Sequence, residues 1–266
     1  TGEVSVCTTT QGPGLTNTAT ALVTAARAGS GVLLIVGDPA GSTARTNQRI
    51  DHARFVEGTG VRFHQVGVRE DWAVATRAAL AAARAGPVVL NLPVAGMDLP
   101  VETAGGTSSP AEPAASPAAI DPAAVREIAR LLGDAGRPLL LAGRGAVRAG
   151  AREALTALAE ATGAALVTTL AAKGLFGAHP HHLGFIGGMG SGQANAAAAD
   201  ADVVVVFGAS LTPWTTERGT LLAQAAVVHC DLSPARDASV RVDLAVRGDA
   251  AALASALLAE VRLRGG

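Results

Sequence analysis

Thr10-Gln11-Gly12-Pro13-Gly14-Leu15-Thr16-Asn17 lies between an apolar strand, Val4-Ser5-Val6-Cys7, and a helix expected over Leu15–Arg27. A glycine-rich turn from strand to helix lets backbone approach a ligand closely, and the helix start leaves N–H groups without intrahelical partners. Gly-Pro-Gly alone is common in plain turns, so its meaning depends on the motifs downstream. These are Gly31-Val32-Leu33-Leu34-Ile35-Val36-Gly37-Asp38, then Asn47-Gln48-Arg49-Ile50-Asp51, then Gly86-Pro87-Val88-Val89-Leu90-Asn91-Leu92-Pro93. Short Val/Leu/Ile runs alternate with alanine-rich helical stretches, the pattern of parallel sheets with helices on both faces. The predicted class is α/β, in two units.

The 266 residues are 49% hydrophobic and 16% charged, the profile of an ordered protein able to bury one large core or two ordinary ones. A net charge of −1 gives no electrostatic case for nucleic acid or an anionic membrane. No apolar run reaches the ~18 residues of a membrane span and no signal peptide opens the chain, so a cytoplasmic setting is expected. Cys7 and Cys230 both fall in apolar, strand-like runs, and both are read as buried, inert thiols with no disulfide framework. Lys173 is the only lysine and tyrosine is absent.

Residues 1–97 read as a first unit: strand, helix, strand, irregular loop, strand (Val61–Val66), helix (Glu70–Arg84) and strand (Val88–Leu92). Residues 98–120 change to Gly, Ser, Pro and Ala and read as a linker, since little there can be buried and proline favours extended chain. Asp121-Pro122 then starts a helix, with Asp at the cap and Pro at the first helical position. Residues 121–266 form a second unit with strands at Leu139–Ala142, Ala165–Thr168, Asp202–Gly208 and Ala226–Asp231. Its helices are Ala151–Thr162 and a closing amphipathic one, Asp249–Arg262.

In their order and spacing, the first-unit motifs resemble the second half of the pyrimidine-binding domain of thiamine-diphosphate enzymes related to acetolactate synthase and benzoylformate decarboxylase. The second unit carries Leu139-Leu140-Leu141-Ala142-Gly143-Arg144-Gly145, Thr168-Thr169-Leu170-Ala171-Ala172-Lys173-Gly174 and Gly187-Gly188-Met189-Gly190. Ala201-Asp202 stands before the valine strand, with Gly208-Ala209 after it and His229-Cys230-Asp231-Leu232-Ser233-Pro234 beyond. This resembles the central domain of the same superfamily, a Rossmann-like fold that binds FAD or ADP in some members and nothing in others. Together the two resemblances cover nearly the whole chain.

The resemblance implies that Gly12, Pro13, Gly14 and Asn17 lie near the aminopyrimidine ring of thiamine diphosphate, and that Gln48 is a loop glutamine facing the active site. It also implies that the first half of the pyrimidine-binding domain lies upstream of Thr1, with the glutamate that promotes the imino tautomer. A Gly-Asp-Gly…Asn motif for Mg²⁺ is missing: Gly37-Asp38-Pro39 lacks a spaced Asn, and Gly248-Asp249-Ala250 lies too near the C-terminus. In the second unit, Gly143-Arg144-Gly145 is half a dinucleotide fingerprint without its third glycine. With Thr169, the glycines Gly187 and Gly188, and Asp231, it makes up an expected crevice for an ADP-type nucleotide at the carboxyl ends of the strands. FAD is not expected, because Ser210-Leu211-Thr212-Pro213-Trp214 replaces the Arg-Phe-Asp-Asp-Arg of flavin-containing acetolactate synthases. Trp214 is read as packing against its domain, His179, His181 and His182 as solvated loop residues rather than a metal set, and Lys173 as a surface or interdomain contact.

The expected function is that of a fragment of a thiamine-diphosphate-dependent lyase or carboligase acting on a 2-oxo acid. The parent would use thiamine diphosphate and Mg²⁺, and this chain alone is expected to be inactive. The alternative is a non-catalytic module, derived from that family, that binds an adenine nucleotide or acyl-CoA. Its partners would be the remaining parts of the same enzyme or a second subunit, in a homo-oligomer associating through the first unit. A Gly145→Val change is expected to abolish nucleotide binding while leaving the fold intact.

Overall fold

The computed structural model describes residues 3–39, 48–99, 119–233 and 238–265. Most of the linker expected at 98–120, Asn47 of the second motif and Pro234 lie outside the described residues. The chain divides into two compact units.

The first unit carries β1 (Ser5–Thr9), α1 (Pro13–Thr16), α2 (Ala19–Ala28), β2 (Val32–Asp38), α3 (His52–Glu57), β3 (Arg62–Gln65), α4 (Trp72–Ala83) and β4 (Val88–Pro93). Its strands form a parallel sheet in the order β1-β2-β4-β3. Side-chain alternation sorts the residues of β2 and β4 between the two faces. Leu34, Val36 and Val89 pack with Leu15, Leu22 and Val56 on one face, while Leu33, Val88 and Leu90 pack with Ala75, Ala79 and Ala83 of α4 on the other. The edge strand β1 contributes no residue to either core: Val6 is 55% exposed and Cys7 is exposed as well. The expectation of a buried Cys7 is therefore corrected. An apolar run at a sheet edge lacks the second layer that would cover it.

The helix expected over Leu15–Arg27 is two helices. Thr18 places its hydroxyl on the Leu15 carbonyl at 2.6 Å and its N–H on the same oxygen at 2.9 Å, closing the first helix as a turn. The stretch expected to be an irregular loop contains α3. Asp51 caps it, its carboxylate accepting from the Arg54 N–H at 3.0 Å.

The second unit runs α5 (Pro122–Asp134), β5 (Pro138–Ala142), α6 (Arg144–Arg148), α7 (Arg152–Thr162), β6 (Ala165–Thr168), β7 (His182–Phe185) and α8 (Gly192–Asp200). It continues with β8 (Val203–Phe207), α9 (Pro213–Thr216), β9 (Ala226–Asp231), β10 (Leu244–Arg247) and α10 (Ala250–Gly265). All six strands are parallel, in the order β10-β9-β8-β5-β6-β7. Numbered within the unit this is 6-5-4-1-2-3, the doubly wound Rossmann order, with its topological switch between β5 and β8. Helices α5, α7 and α10 cover one face through Ile128, Leu132, Leu155, Leu158, Leu253 and Leu257, and α8 lies on the other. Strands β5 and β8 are buried throughout, as their continuous apolar runs dictate. Both units are thus parallel α/β sheets flanked by helices.

Candidate functional site

The first unit builds its site at the Gly12 turn. Gly12 has φ +60 and ψ −108, a conformation that favours glycine, and caps α1 without a side chain. A Cβ there would collide with the backbone carbonyl of Gln48. The Gln11 amide donates to Gln48 Oε1 at 2.9 Å. The structure thus joins Gly12 and Gln48, two residues expected at one site from distant motifs. Pro13 and Asn17 are exposed, and Gly14 lies against Thr9 and Thr10. Among the described residues, Thr9 Oγ1 and Gln11 Oε1 are buried without hydrogen-bond partners, two orphaned acceptors beside the turn.

Beneath the turn lies a polar relay, buried at His52 and Asn91 and exposed at Gln65, that the sequence reading missed. The Gly12 N–H donates to His52 Nε2 at 3.1 Å, His52 Nδ1 meets Asn91 Oδ1 at 2.9 Å, and Asn91 Nδ2 donates to Gln65 Oε1 at 2.7 Å. Gln65 Nε2 donates onward to the Val66 carbonyl at 3.2 Å. His52 is 4% exposed and Asn91 1%. The signal was present in Asn91, a polar residue inside an otherwise apolar strand, which needs a buried partner.

The second unit opens a cavity of about 660 Å³ at the switch point. Of the expected residues, Arg144, Gly145, Thr169 and Asp231 line it together, joined by Arg148 and Thr212. The glycines are there for chain packing. Gly145 N–H donates to Gly208 O at 2.9 Å and Gly143 N–H to Phe207 O at 2.8 Å, tying the end of β5 to the end of β8. A Cβ on Gly143 would strike Gly208 O, and one on Gly145 would lie 2.6 Å from Gly208 Cα. A valine at 145 therefore disturbs the fold, which corrects the expectation that it would leave the fold intact. Burial lowers the Arg144 guanidinium from its ordinary value, and the neighbouring Arg148 charge lowers it further. Among the described residues neither arginine has an ion-pair partner. In the cavity lining, burial pushes the Cys230 thiol up, and the Asp231 charge adds to it.

Gly187 and Gly188 are not in this cavity's lining. Gly187, at φ +110, fits against the Trp214 carbonyl, exchanges hydrogen bonds with the Asn195 side chain at 3.0 and 3.1 Å, and leaves Gly188 beside Trp214 in a second hollow. Trp214 is 84% exposed, so its expected packing against the domain is corrected. The single turn of α9 aims Thr212 and Thr215 into the cavity and Pro213 and Trp214 to its other side. Of the three histidines, His179 and His181 lie in the loop before β7 as expected, though half-buried: His179 meets Glu160 at 3.2 Å and His181 Nδ1 meets the Ala164 carbonyl at 3.1 Å. His182 is corrected, since it opens β7. Exposed Lys173 holds its Nζ 5.7 Å from the Phe185 ring centroid.

Among the described residues no group of three His, Cys, Asp or Glu side chains could hold a metal ion. The Asp249 carboxylate is engaged as the start of α10, accepting from Ala251 and Ala252 N–H at 3.0 Å each. Asp249 is thus committed to its helix. No described helix is long and apolar enough to cross a membrane.

Residues 125–257 match the family model described as thiamine pyrophosphate enzyme, central domain, and residues 1–55 match that of the N-terminal TPP binding domain. Among curated proteins, the chain is 32% identical over 269 residues to the probable acetolactate synthase large subunit of Methanocaldococcus jannaschii, covering 97% of this chain and 46% of the relative. It is 32% identical over 283 residues to the acetolactate synthase large subunit of Parasynechococcus marenigrum, covering 99% and 44%. Against the acetolactate synthase of Mycobacterium avium the identity is 30%, covering 98% and 43%. The chain thus spans just under half the length of these relatives. Among solved structures, a Mycobacterium smegmatis protein assigned to the thiamin diphosphate-dependent enzymes superposes with a TM-score of 0.73 at 23% identity, over 98% of this chain and 51% of that one. The α/β fold, the 6-5-4-1-2-3 sheet and the match over half the chain lead to one conclusion: this chain belongs to the thiamine pyrophosphate enzyme family, with the central domain in its second unit.

Proposed function

We propose that these residues work within a thiamine-diphosphate-dependent lyase or carboligase that acts on a 2-oxo acid, as acetolactate synthase does. The observation that carries this reading is collinearity. A Gly12-turn sheet followed by a Rossmann-order sheet aligns over 97% of the chain with an acetolactate synthase subunit. In this reading residues 1–97 belong to the pyrimidine-binding domain, 98–120 link, and 121–266 form the central domain, in a cytoplasmic enzyme.

When bound, thiamine diphosphate supplies the carbanion-stabilising carbon needed to decarboxylate or couple a 2-oxo acid. Here Gly12, Pro13, Gly14 and Asn17 would border its aminopyrimidine, with Gln48 beside them. The orphaned Thr9 and Gln11 oxygens offer acceptors at that place. Among the described residues no cluster of three His, Cys, Asp or Glu gathers for a metal, and in this reading Mg²⁺ would be held by other parts of the enzyme or by a second subunit. The open β1 edge, with Val6 and Cys7 exposed, supports association there.

The central cavity would take an adenine nucleotide without flavin. The support is the pair Arg144 and Arg148 at the switch point, without ion-pair partners among the described residues, and Asp231 in the same lining as a candidate acceptor for ribose hydroxyls. The same observation favours the second reading, a nucleotide- or acyl-CoA-binding module.

Two measurements test this. Calorimetry of the 266-residue chain with Mg²⁺ and thiamine diphosphate should show no micromolar binding and no turnover of pyruvate or benzoylformate. Micromolar affinity with turnover would overturn the assignment of metal and acid–base groups to other segments. Thermal shift against ADP, NAD, FAD and CoA should show a rise with ADP that Arg144→Ala removes, from a colourless protein. Stoichiometric yellow flavin would refute the cofactor choice.

A further inference from the structure

The relay under the Gly12 turn has a direction. A backbone N–H can only donate, so His52 Nε2, 3.1 Å from Gly12 N, is the acceptor and carries no proton. The ring's proton is then on Nδ1, where it donates to Asn91 Oδ1. This orients the Asn91 amide with its NH₂ toward Gln65 Oε1, and it orients Gln65 with its NH₂ toward the Val66 carbonyl. One chain of donors therefore runs from the turn through α3 to β4 and β3. Each partner is oriented by the one before, and among the described residues the Gly12 N–H has no other acceptor.

We propose that His52 is a positioning residue that acts through the Gly12 N–H and holds the Gly12–Asn17 turn in its ligand-ready shape. That the turn serves thiamine diphosphate rests on the function proposed for the chain. Gly12 combines a positive φ with backbone contact to Gln48, so the loop on one side and His52 on the other over-determine its conformation. A site whose geometry is set before the ligand arrives avoids the ordering cost at binding. Gly12 cannot supply that rigidity itself.

The test has an arm that needs no cofactor. In the 266-residue chain, long-range ¹⁵N–¹H correlation should show His52 as the Nδ1–H tautomer. Amide exchange at Gly12 should quicken about tenfold in His52→Phe, the worth of one buried hydrogen bond. Asn91→Ala should quicken it as well, with His52 still present. His52→Gln, which can accept from Gly12 and donate to Asn91, should restore protection, whereas a merely volumetric role would be met better by phenylalanine. An Nε2–H tautomer, unchanged Gly12 exchange in His52→Phe, or no rescue by glutamine would each overturn the proposal.

The second arm uses the complete enzyme. There His52→Phe should raise the thiamine diphosphate concentration for half-activation about tenfold, and His52→Gln should bring it back. A lowered kcat at saturating cofactor with an unchanged half-activation point would overturn the positioning role. An enzyme that ignores thiamine diphosphate would overturn the proposed function instead, leaving the exchange arm to decide on His52.

Discussion

Replacing Gly145 by alanine probes how the second unit closes at its switch point. A Cβ at Gly145 would lie 2.6 Å from Gly208 Cα, 3.1 Å from its oxygen and 3.3 Å from its carbonyl carbon. All three are backbone atoms, so no side chain can swing away. Gly208 is itself at φ +61, and a Cβ on it would lie 2.5 Å from Gly145 Cα. Relief requires the chain after β8 to shift, which as overpacking costs about 1–3 kcal/mol. Gly145 sits within α6, where alanine regains about 1 kcal/mol of helix propensity. A clash against backbone alone belongs in the upper part of that range, about 2–3 kcal/mol, so after the propensity gain Gly145→Ala should lose about 1–2 kcal/mol, or roughly 3–6 °C in the melting temperature of a unit this size. Valine, adding two more atoms at the same place, should cost more. Because Gly145 and Gly208 guard the same contact, their double alanine variant should cost less than the sum. Urea unfolding followed by far-UV circular dichroism reads the shift. An unchanged or raised midpoint for Gly145→Ala would refute the packing argument.

Gly133→Ala is the opposite case: it lies in α5 with open space around it, so urea unfolding should show a gain of about 0.5–1 kcal/mol. Asp202 accepts from Gly136 N–H at 2.7 Å and Arg137 N–H at 3.1 Å. Asp202→Ala, which leaves these exposed donors to water, should cost about 0.5–1.5 kcal/mol at pH 7 by the same assay. Burial pushes the Asp202 carboxyl upward, but these backbone donors outweigh it and hold it below the usual range. Its folded value lies below its unfolded one, so its contribution is present near neutrality. It fades as pH falls below about 4, and the variant's acid unfolding limb should be flatter there. A thiol reagent should modify Cys7 within minutes in the native state and Cys230 only on unfolding. Mass spectrometry of a timed reaction checks this, and equal rates would contradict the burial difference.

Much of the architecture was legible because strands buried on both faces must be continuously apolar. Val203–Phe207 and Leu139–Ala142 announced themselves in that way. The edge strands of the second unit did not. His182–Phe185 is half-buried throughout, and Leu244–Arg247 mixes exposed and buried positions, so neither shows an apolar run. Cys7 was misread for the same reason, since composition does not reveal which strand lacks a covering layer. At the site, Gly12 and Gln48 could be joined only through the family resemblance, because 36 residues separate them and their contact is between backbones. The glycines of Gly143-Arg144-Gly145 were legible as a constraint but not as to its object. The sequence suggested close approach by a phosphate, while the fold shows that Gly208 is what excludes a Cβ there. His52 escaped because a lone histidine beside an acidic cap residue looks like surface until Asn91 is placed opposite it.

Thiamine-diphosphate dependence is tested most directly in the complete polypeptide encoded by the reading frame that contains these residues. Carbon dioxide release from pyruvate, followed with and without thiamine diphosphate and Mg²⁺, is the measurement. Release should require both additions and should fall at least tenfold in Gly12→Ala at limiting cofactor, since a Cβ there meets the Gln48 carbonyl and breaks the turn. A complete polypeptide that turns over 2-oxo acids without thiamine diphosphate, or binds none by calorimetry, would contradict the assignment.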